Sequence, residues 1–92
     1  MTTNKTLTQH LIFYSDPKHA WLKTSLEDLK KLKIENKVST YSYINGDHVY
    51  LEEDCDATLY LNTLKDYGID YLIEDNYCNN DSIIRTYNRY KQ

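Results

Sequence analysis

In the stretch Val38-Ser39-Thr40-Tyr41-Ser42-Tyr43-Ile44-Asn45-Gly46-Asp47-His48-Val49-Tyr50-Leu51-Glu52-Glu53, an Asn-Gly pair separates two β-prone runs. Asn and Gly both tolerate positive φ, so this pair is the strongest short-range hairpin signal in the chain. In the second arm Val49 and Leu51 alternate with His48, Tyr50 and Glu52, which directs Val49 and Leu51 to a core. Two registers are open for the first arm. A two-residue loop pairs Ser42 with Val49 and Tyr41 with Tyr50, leaving Tyr41, Tyr43, His48 and Tyr50 on the outer face. A three-residue loop with a glycine bulge buries Tyr41 and Tyr43 beside Val49 and Leu51. Asn-Gly favours the first.

Upstream, Leu11-Ile12-Phe13-Tyr14 reads as a strand and His19-Ala20-Trp21-Leu22-Lys23 as its partner. Between them Asp16-Pro17-Lys18 forms a turn, with Pro fixing φ and Asp able to accept from the backbone ahead. Ser25-Leu26-Glu27-Asp28 is a capping-box pattern. Leu26, Leu29 and Leu32 give the helix that follows an apolar stripe, and Asn36 offers a left-handed stop. Downstream, a second helix starts at Asp54–Asp56 and ends at Gly68, with Ala57, Tyr60, Leu61 and Leu64 on one face. Asp70–Tyr77 alternates as a strand, Asn79-Asn80-Asp81 is a turn, and Ile83–Tyr90 is a short strand or extended tail. The order predicts an α+β fold: a small antiparallel β-sheet of four to six strands with two helices packed on one face. Residues 1–92 form a single domain in this reading, with 1–8 as a flexible N-terminal tail.

Ten of the 92 residues are Tyr, against one Trp and one Phe. Tyr joins a large apolar ring to a polar handle and is favoured at binding surfaces. The same abundance, shared with Asn, Lys and Ile, is also what an AT-rich genome produces. The net charge of −3 is unevenly spread. Residues 1–37 carry +3, residues 38–81 carry −9, and residues 82–92 carry +3. An acidic middle attracts a basic partner, and the profile is not that of a free-standing DNA binder. Cys55 and Cys78 form no CxxC pair, residues 1–8 hold no apolar signal run, and no apolar stretch approaches the roughly 20 residues of a membrane span. A reduced, cytoplasmic protein follows.

Catalytic chemistry finds little support. With two glycines in the chain there is no nucleophile elbow, phosphate loop or dinucleotide fingerprint. His10, His19 and His48 lack metal-ligand spacing, and a zinc site from His48, Cys55 and Cys78 has no specific pattern behind it. No cofactor is implied. The run Glu52-Glu53-Asp54-Cys55-Asp56 concentrates carboxylates where a strand passes into a helix. It is a solvated strand exit that also feeds a helix N-terminus, or a recognition patch for Lys and Arg of a partner that normally grips phosphates. A single divalent ion is disfavoured, because neighbouring carboxylates on a strand point to opposite faces. Arg85 and Arg89, interleaved with Tyr87 and Tyr90, can contact phosphates and stack on bases, or pin the C-terminal segment. Pinning is favoured. Tyr41, Tyr43, His48, Tyr50, Glu52, Glu53, Asp54 and Asp56 are therefore the candidate partner-binding residues.

Four groups of residues carry a resemblance across 16–90. They are Asp16-Pro17-Lys18-His19-Ala20-Trp21-Leu22, Ser39-x-Tyr41-Ser42-Tyr43, Val49-Tyr50-Leu51-Glu52-Glu53-Asp54-Cys55-Asp56, and Asp81-Ser82-x-Ile84-Arg85-x-Tyr87. Together they resemble a group of small phage- and plasmid-borne proteins, one branch of which is similar to phage anti-CRISPR inhibitors of the type I-F surveillance complex. The resemblance implies a non-enzymatic inhibitor in the host cytoplasm. It would dock on a large basic ribonucleoprotein, the guide-RNA-loaded complex, and prevent capture of target DNA. Lys33 departs from the expected small residue, such as Gly, after the first helix. A phage or plasmid protein directed at another host defence or regulatory target would share the same sequence features.

Overall fold

The computed structural model describes residues 8–91. They form β1 (Thr8–Ser15), β2 (Ala20–Ser25), α1 (Leu26–Lys31), β3 (Tyr43–Asn45), β4 (His48–Glu52), α2 (Asp56–Asp66), β5 (Asp70–Tyr77), a 3₁₀ turn (Ile83–Thr86) and β6 (Asn88–Arg89). The strands build one six-stranded sheet in the order β5-β1-β2-β4-β3-β6. The expected flexible tail falls on residues 1–7, outside the described residues, and Thr8 already belongs to β1.

Alternation along the central strands divides the apolar residues between two faces. On one face Leu11, Leu22, Val49 and Leu51 pack with Leu29 and Leu32 around α1 and with Ala57, Tyr60 and Leu64 of α2. This is the α+β arrangement with both helices over one face. On the other face Trp21 and Tyr50 pack with Ile84, flanked by Tyr14, Tyr43 and Tyr87. The C-terminal segment covers this second cluster, then rounds the β3 edge so that Tyr90 enters the main core.

The sheet is not wholly antiparallel. β5 runs parallel to β1 over its full length, from Thr8 opposite Asp70 to Ser15 opposite Tyr77. The cause is topological. β4 and β1 share a direction because each is antiparallel to β2. A helical crossover such as α2 returns the chain in the direction in which it left, so β5 joins the far edge parallel.

The hairpin has a two-residue loop, but at Gly46-Asp47 rather than Asn45-Gly46, since Asn45 pairs with His48, Ile44 with Val49 and Tyr43 with Tyr50. Gly46 has φ +62 and Asp47 is not among the positive-φ residues, which matches a type II′ turn with Gly first. Every pair shifts by two residues from the expected register, so the faces are preserved. Tyr43, His48 and Tyr50 lie opposite to Val49 and Leu51, as the two-residue reading requires. That face is nevertheless not open at Tyr50, which is 7% exposed beneath the C-terminal segment. The first arm is also shorter than expected, because 38–42 is turn rather than strand.

Both helices end in the same motif. Ile69 N–H donates to Leu64 O at 2.9 Å and Gly68 N–H to Lys65 O at 3.0 Å, with Gly68 at φ +72. At α1 the equivalents are Ile34 N–H to Leu29 O and Lys33 N–H to Lys30 O, both 3.0 Å, with Lys33 at φ +62. These are two Schellman closures, one on glycine and one on lysine. The left-handed stop is thus Lys33 and not Asn36. A Cβ in this region costs roughly 1–2 kcal/mol. Lys33→Gly is therefore expected to raise stability by about 0.5–1 kcal/mol, after allowing for the looser unfolded chain. Urea unfolding checks this, and an unchanged or lower midpoint would contradict it.

Candidate functional site

Two buried carboxylates organise the outer face. Asp16, in the β1–β2 turn, has no exposed side-chain surface. Its Oδ1 accepts the amides of Lys18 and His19 at 2.9 Å each, as the turn reading anticipated. Its Oδ2 accepts the amide of Ser82 at 2.9 Å. Arg85 then closes a two-pronged pair, with Nε on Oδ2 at 2.7 Å and Nη2 on Oδ1 at 3.0 Å. The Arg85 guanidinium, helped by the three backbone amides and opposed by burial, holds the Asp16 carboxyl well below the usual carboxylate range. Arg85 is a structural clamp, and its guanidinium lies 5.5 Å from the centre of the Trp21 ring.

Asp56 is the second node. Its Oδ2 accepts from Ser39 N–H at 3.0 Å, Ser39 Oγ at 2.7 Å and Ser42 Oγ at 2.6 Å. Ser42 Oγ also accepts the Glu52 amide at 2.9 Å. Asp56 is buried, so it shapes the 39–42 turn from beneath and is not a surface contact. Its place among the partner-binding candidates is corrected, as is that of buried Tyr50. A carboxylate at a helix start reads the same in sequence whether it faces solvent or folds back on a loop.

Between these nodes lies an open cleft of about 450 Å³, lined by His19, Trp21, Tyr41, Tyr43, Glu52, Asp54, Cys55, Arg85 and Arg89. Four of the expected residues are here: Tyr41, Tyr43, Glu52 and Asp54. Tyr41 is 65% exposed on the turn that Asp56 shapes. Tyr43 meets Trp21 edge-to-face at 6.1 Å, and the Arg89 guanidinium lies over the Tyr43 ring, 4.7 Å from its centre. Arg89 also donates to the carbonyls of Thr40 and Tyr41 at 3.3 and 3.5 Å. Glu52 turns one oxygen back to accept the amides of Asp54 and Cys55, both at 3.1 Å, which fixes the strand exit and leaves Asp54 exposed.

Glu53 is half-buried and does not line the cleft. His48 is exposed at the other end of β4, roughly 13 Å from Glu52 along the strand. His48, Cys55 and Cys78 do not converge, and the described residues hold no group of three His, Cys, Asp or Glu placed to bind a metal. Sequence reasoning missed Trp21, His19 and Cys55 as lining residues. The strand alternation that puts Trp21 opposite Leu22 was available, but not the register that sets it across from Glu52.

No family model, curated protein or solved structure matches the chain, so the cleft is read from its own geometry. No helix among the described residues is long and apolar enough to cross a membrane.

The Asp16 clamp has a pH signature. Its folded-state pKa is depressed below the unfolded value of roughly 3.9, so its stabilisation is complete above about pH 4 and is lost as the pH falls further. Asp16→Asn should lower the thermal midpoint at pH 7, and the gap to the parent should narrow steadily from about pH 4 to pH 2. Thermal melts of both proteins across this range provide the check. A gap that stayed constant would show that the charge of Asp16 contributes nothing.

Proposed function

We propose that this protein is a non-enzymatic anti-CRISPR inhibitor that binds the guide-RNA-loaded type I-F surveillance complex in the host cytoplasm and blocks capture of target DNA. The sequence resemblance supplies the partner. The observation that carries the docking mode is the cleft, where exposed Tyr41 and half-buried Tyr43 stand beside the carboxylates of Glu52 and Asp54 on a braced frame. Aromatic faces next to carboxylates suit a Lys or Arg side chain, through cation–π attraction and ion pairing. Such cations on the surveillance complex would otherwise hold nucleic-acid phosphates, so covering them excludes DNA. Asp16 already neutralises Arg85, and Arg89 lies over the Tyr43 ring and donates to the Thr40 and Tyr41 carbonyls, so the incoming cation is received by Tyr41 with Glu52 and Asp54. Pre-set loops lower the ordering cost of association, which favours tight binding from a small contact.

Mixing the protein with the assembled complex and running labelled target DNA on a native gel tests the function. The expected result is loss of the DNA-bound band at saturating inhibitor, with all components intact. Undiminished DNA binding would overturn the proposal and favour another host target, which a pull-down would then identify. Two variants test the docking mode. Tyr41→Ala should change stability by no more than about 0.5 kcal/mol yet weaken inhibition at least tenfold. Tyr50→Ala should instead cost about 3–5 kcal/mol of stability, because it empties the outer-face cluster.

A further inference from the structure

Among the described residues β5 closes one side of the sheet, with three strands between it and the β3 wall of the cleft. It is eight residues long, above the usual strand length of about 5–6 residues. Seven of the eight residues are exposed, including Leu72 at 59% and Tyr77 at 60%. Proteins blunt a long edge with charged side chains, Lys above all, or with Pro, a bulge or a covering segment, because its free amides and carbonyls template another strand. Asp70-Tyr71-Leu72-Ile73-Glu74-Asp75-Asn76-Tyr77 contains no Lys, Pro or Gly, and it stays paired with β1 without interruption.

The open hydrogen-bonding groups can be assigned. Cys78 N–H donates to Ser15 O of β1 at 2.8 Å. With the period of two along a strand, even-numbered residues of β5 turn their amides and carbonyls towards β1. Tyr71, Ile73, Asp75 and Tyr77 therefore direct theirs to the open edge. The register with β1 sets the side chains as well. Ile73 shares the helix-covered face with Leu11, and Leu72 and Glu74 share the outer face with His10 and Ile12.

Charge selects the occupant. Asp70, Glu74 and Asp75 are the charged residues of β5, and β1 supplies no Lys or Arg beside them. The ion pairs among the described residues, Lys31–Glu27 and Arg85–Asp16, involve none of the three. A second copy of β5 would bring six carboxylates to one short ladder, and like charges across strands repel. A strand bearing Lys or Arg among apolar residues meets the opposite situation on both faces. We infer that β5 is a docking edge for an extended basic segment of a partner protein, which adds to the sheet as a seventh strand. This holds whether or not the surveillance complex is the target, and it uses a surface separate from the cleft.

The test uses the full chain, ¹⁵N-labelled, with a synthetic ten-residue peptide of alternating Lys and Val as probe. An alternating Lys-Pro peptide has the same charge but lacks the amides needed for pairing. The Lys-Val peptide is expected to slow hydrogen exchange at Tyr71, Ile73, Asp75 and Tyr77, and to bind at least tenfold more tightly than the Lys-Pro peptide. Ile73→Pro should abolish the effect while keeping the β1 ladder, since that amide faces outward. Glu74→Lys with Asp75→Lys should weaken binding at least tenfold, and it serves if the proline variant does not fold. Absence of protection at millimolar peptide overturns the inference, as does equal binding of the Lys-Pro peptide. Self-association of the protein alone, protecting the same four amides, would also overturn it by making a second copy the occupant.

Discussion

Asp16 is a carboxylate removed from water that accepts five hydrogen bonds, two from its own turn and three from a segment some seventy residues away. A buried charge of this kind is tolerated only when its partners are in place, and removing one leaves a strong penalty uncompensated. The consequences spread from there. Ser82 and Arg85 are drawn onto the β1–β2 turn, and this seats Ile84 on Trp21 and Tyr50. The outer face of the sheet thereby acquires a second apolar cluster in place of a solvated surface. The same clamp sets Arg85 at one wall of the cleft and starts the path by which β6 reaches β3 and Tyr90 reaches the main core.

Asp56 repeats the device on a smaller scale, with Ser39 and Ser42 as donors. The two nodes share a logic: each ties a loop that lacks regular structure to a rigid element, at a place where buried amides need acceptors. Six of the residues singled out in the sequence belong to these nodes. Asp16, Ser39, Ser42, Asp56, Ser82 and Arg85 are frame, whereas Lys18, His19, Tyr41, Asp54, Cys55 and Asp81 are exposed. What the frame displays is the Tyr41–Glu52–Asp54 side of the cleft.

Much of this architecture was legible in local chemistry. Ser25 caps α1 by accepting the Asp28 amide at 3.0 Å, Gly68 closes α2, and β5 spans Asp70–Tyr77 as its alternation indicated. Each depends on neighbours within a few residues. The errors lie where distant parts of the chain decide. Tyr50 alternates like a solvent-facing strand residue, and only the returning C-terminal segment buries it. Asp56 looks like a helix-start charge until two serines from an earlier turn reach it. The parallel β1–β5 pair follows from a crossover over two strands, which no hairpin signal reveals. Lys33 shows the converse: a residue with the wrong local preference is held at positive φ because the Schellman bonds and the burial of Ile34 require that turn.

If Asp16–Arg85 is the interaction on which the outer face depends, breaking it should release the C-terminal segment before the rest of the sheet. Amide hydrogen exchange in an Arg85→Met variant measures this most directly, because it resolves local opening from global unfolding. The amides of Tyr87 and Tyr90 are bonded to Ile84 O and Ser42 O in the native protein. The account predicts that both lose protection by a factor of at least a hundred, while those of β2 and β4 change far less. Protection at Tyr87 and Tyr90 that is unchanged, or that falls only in step with the central strands, would contradict it.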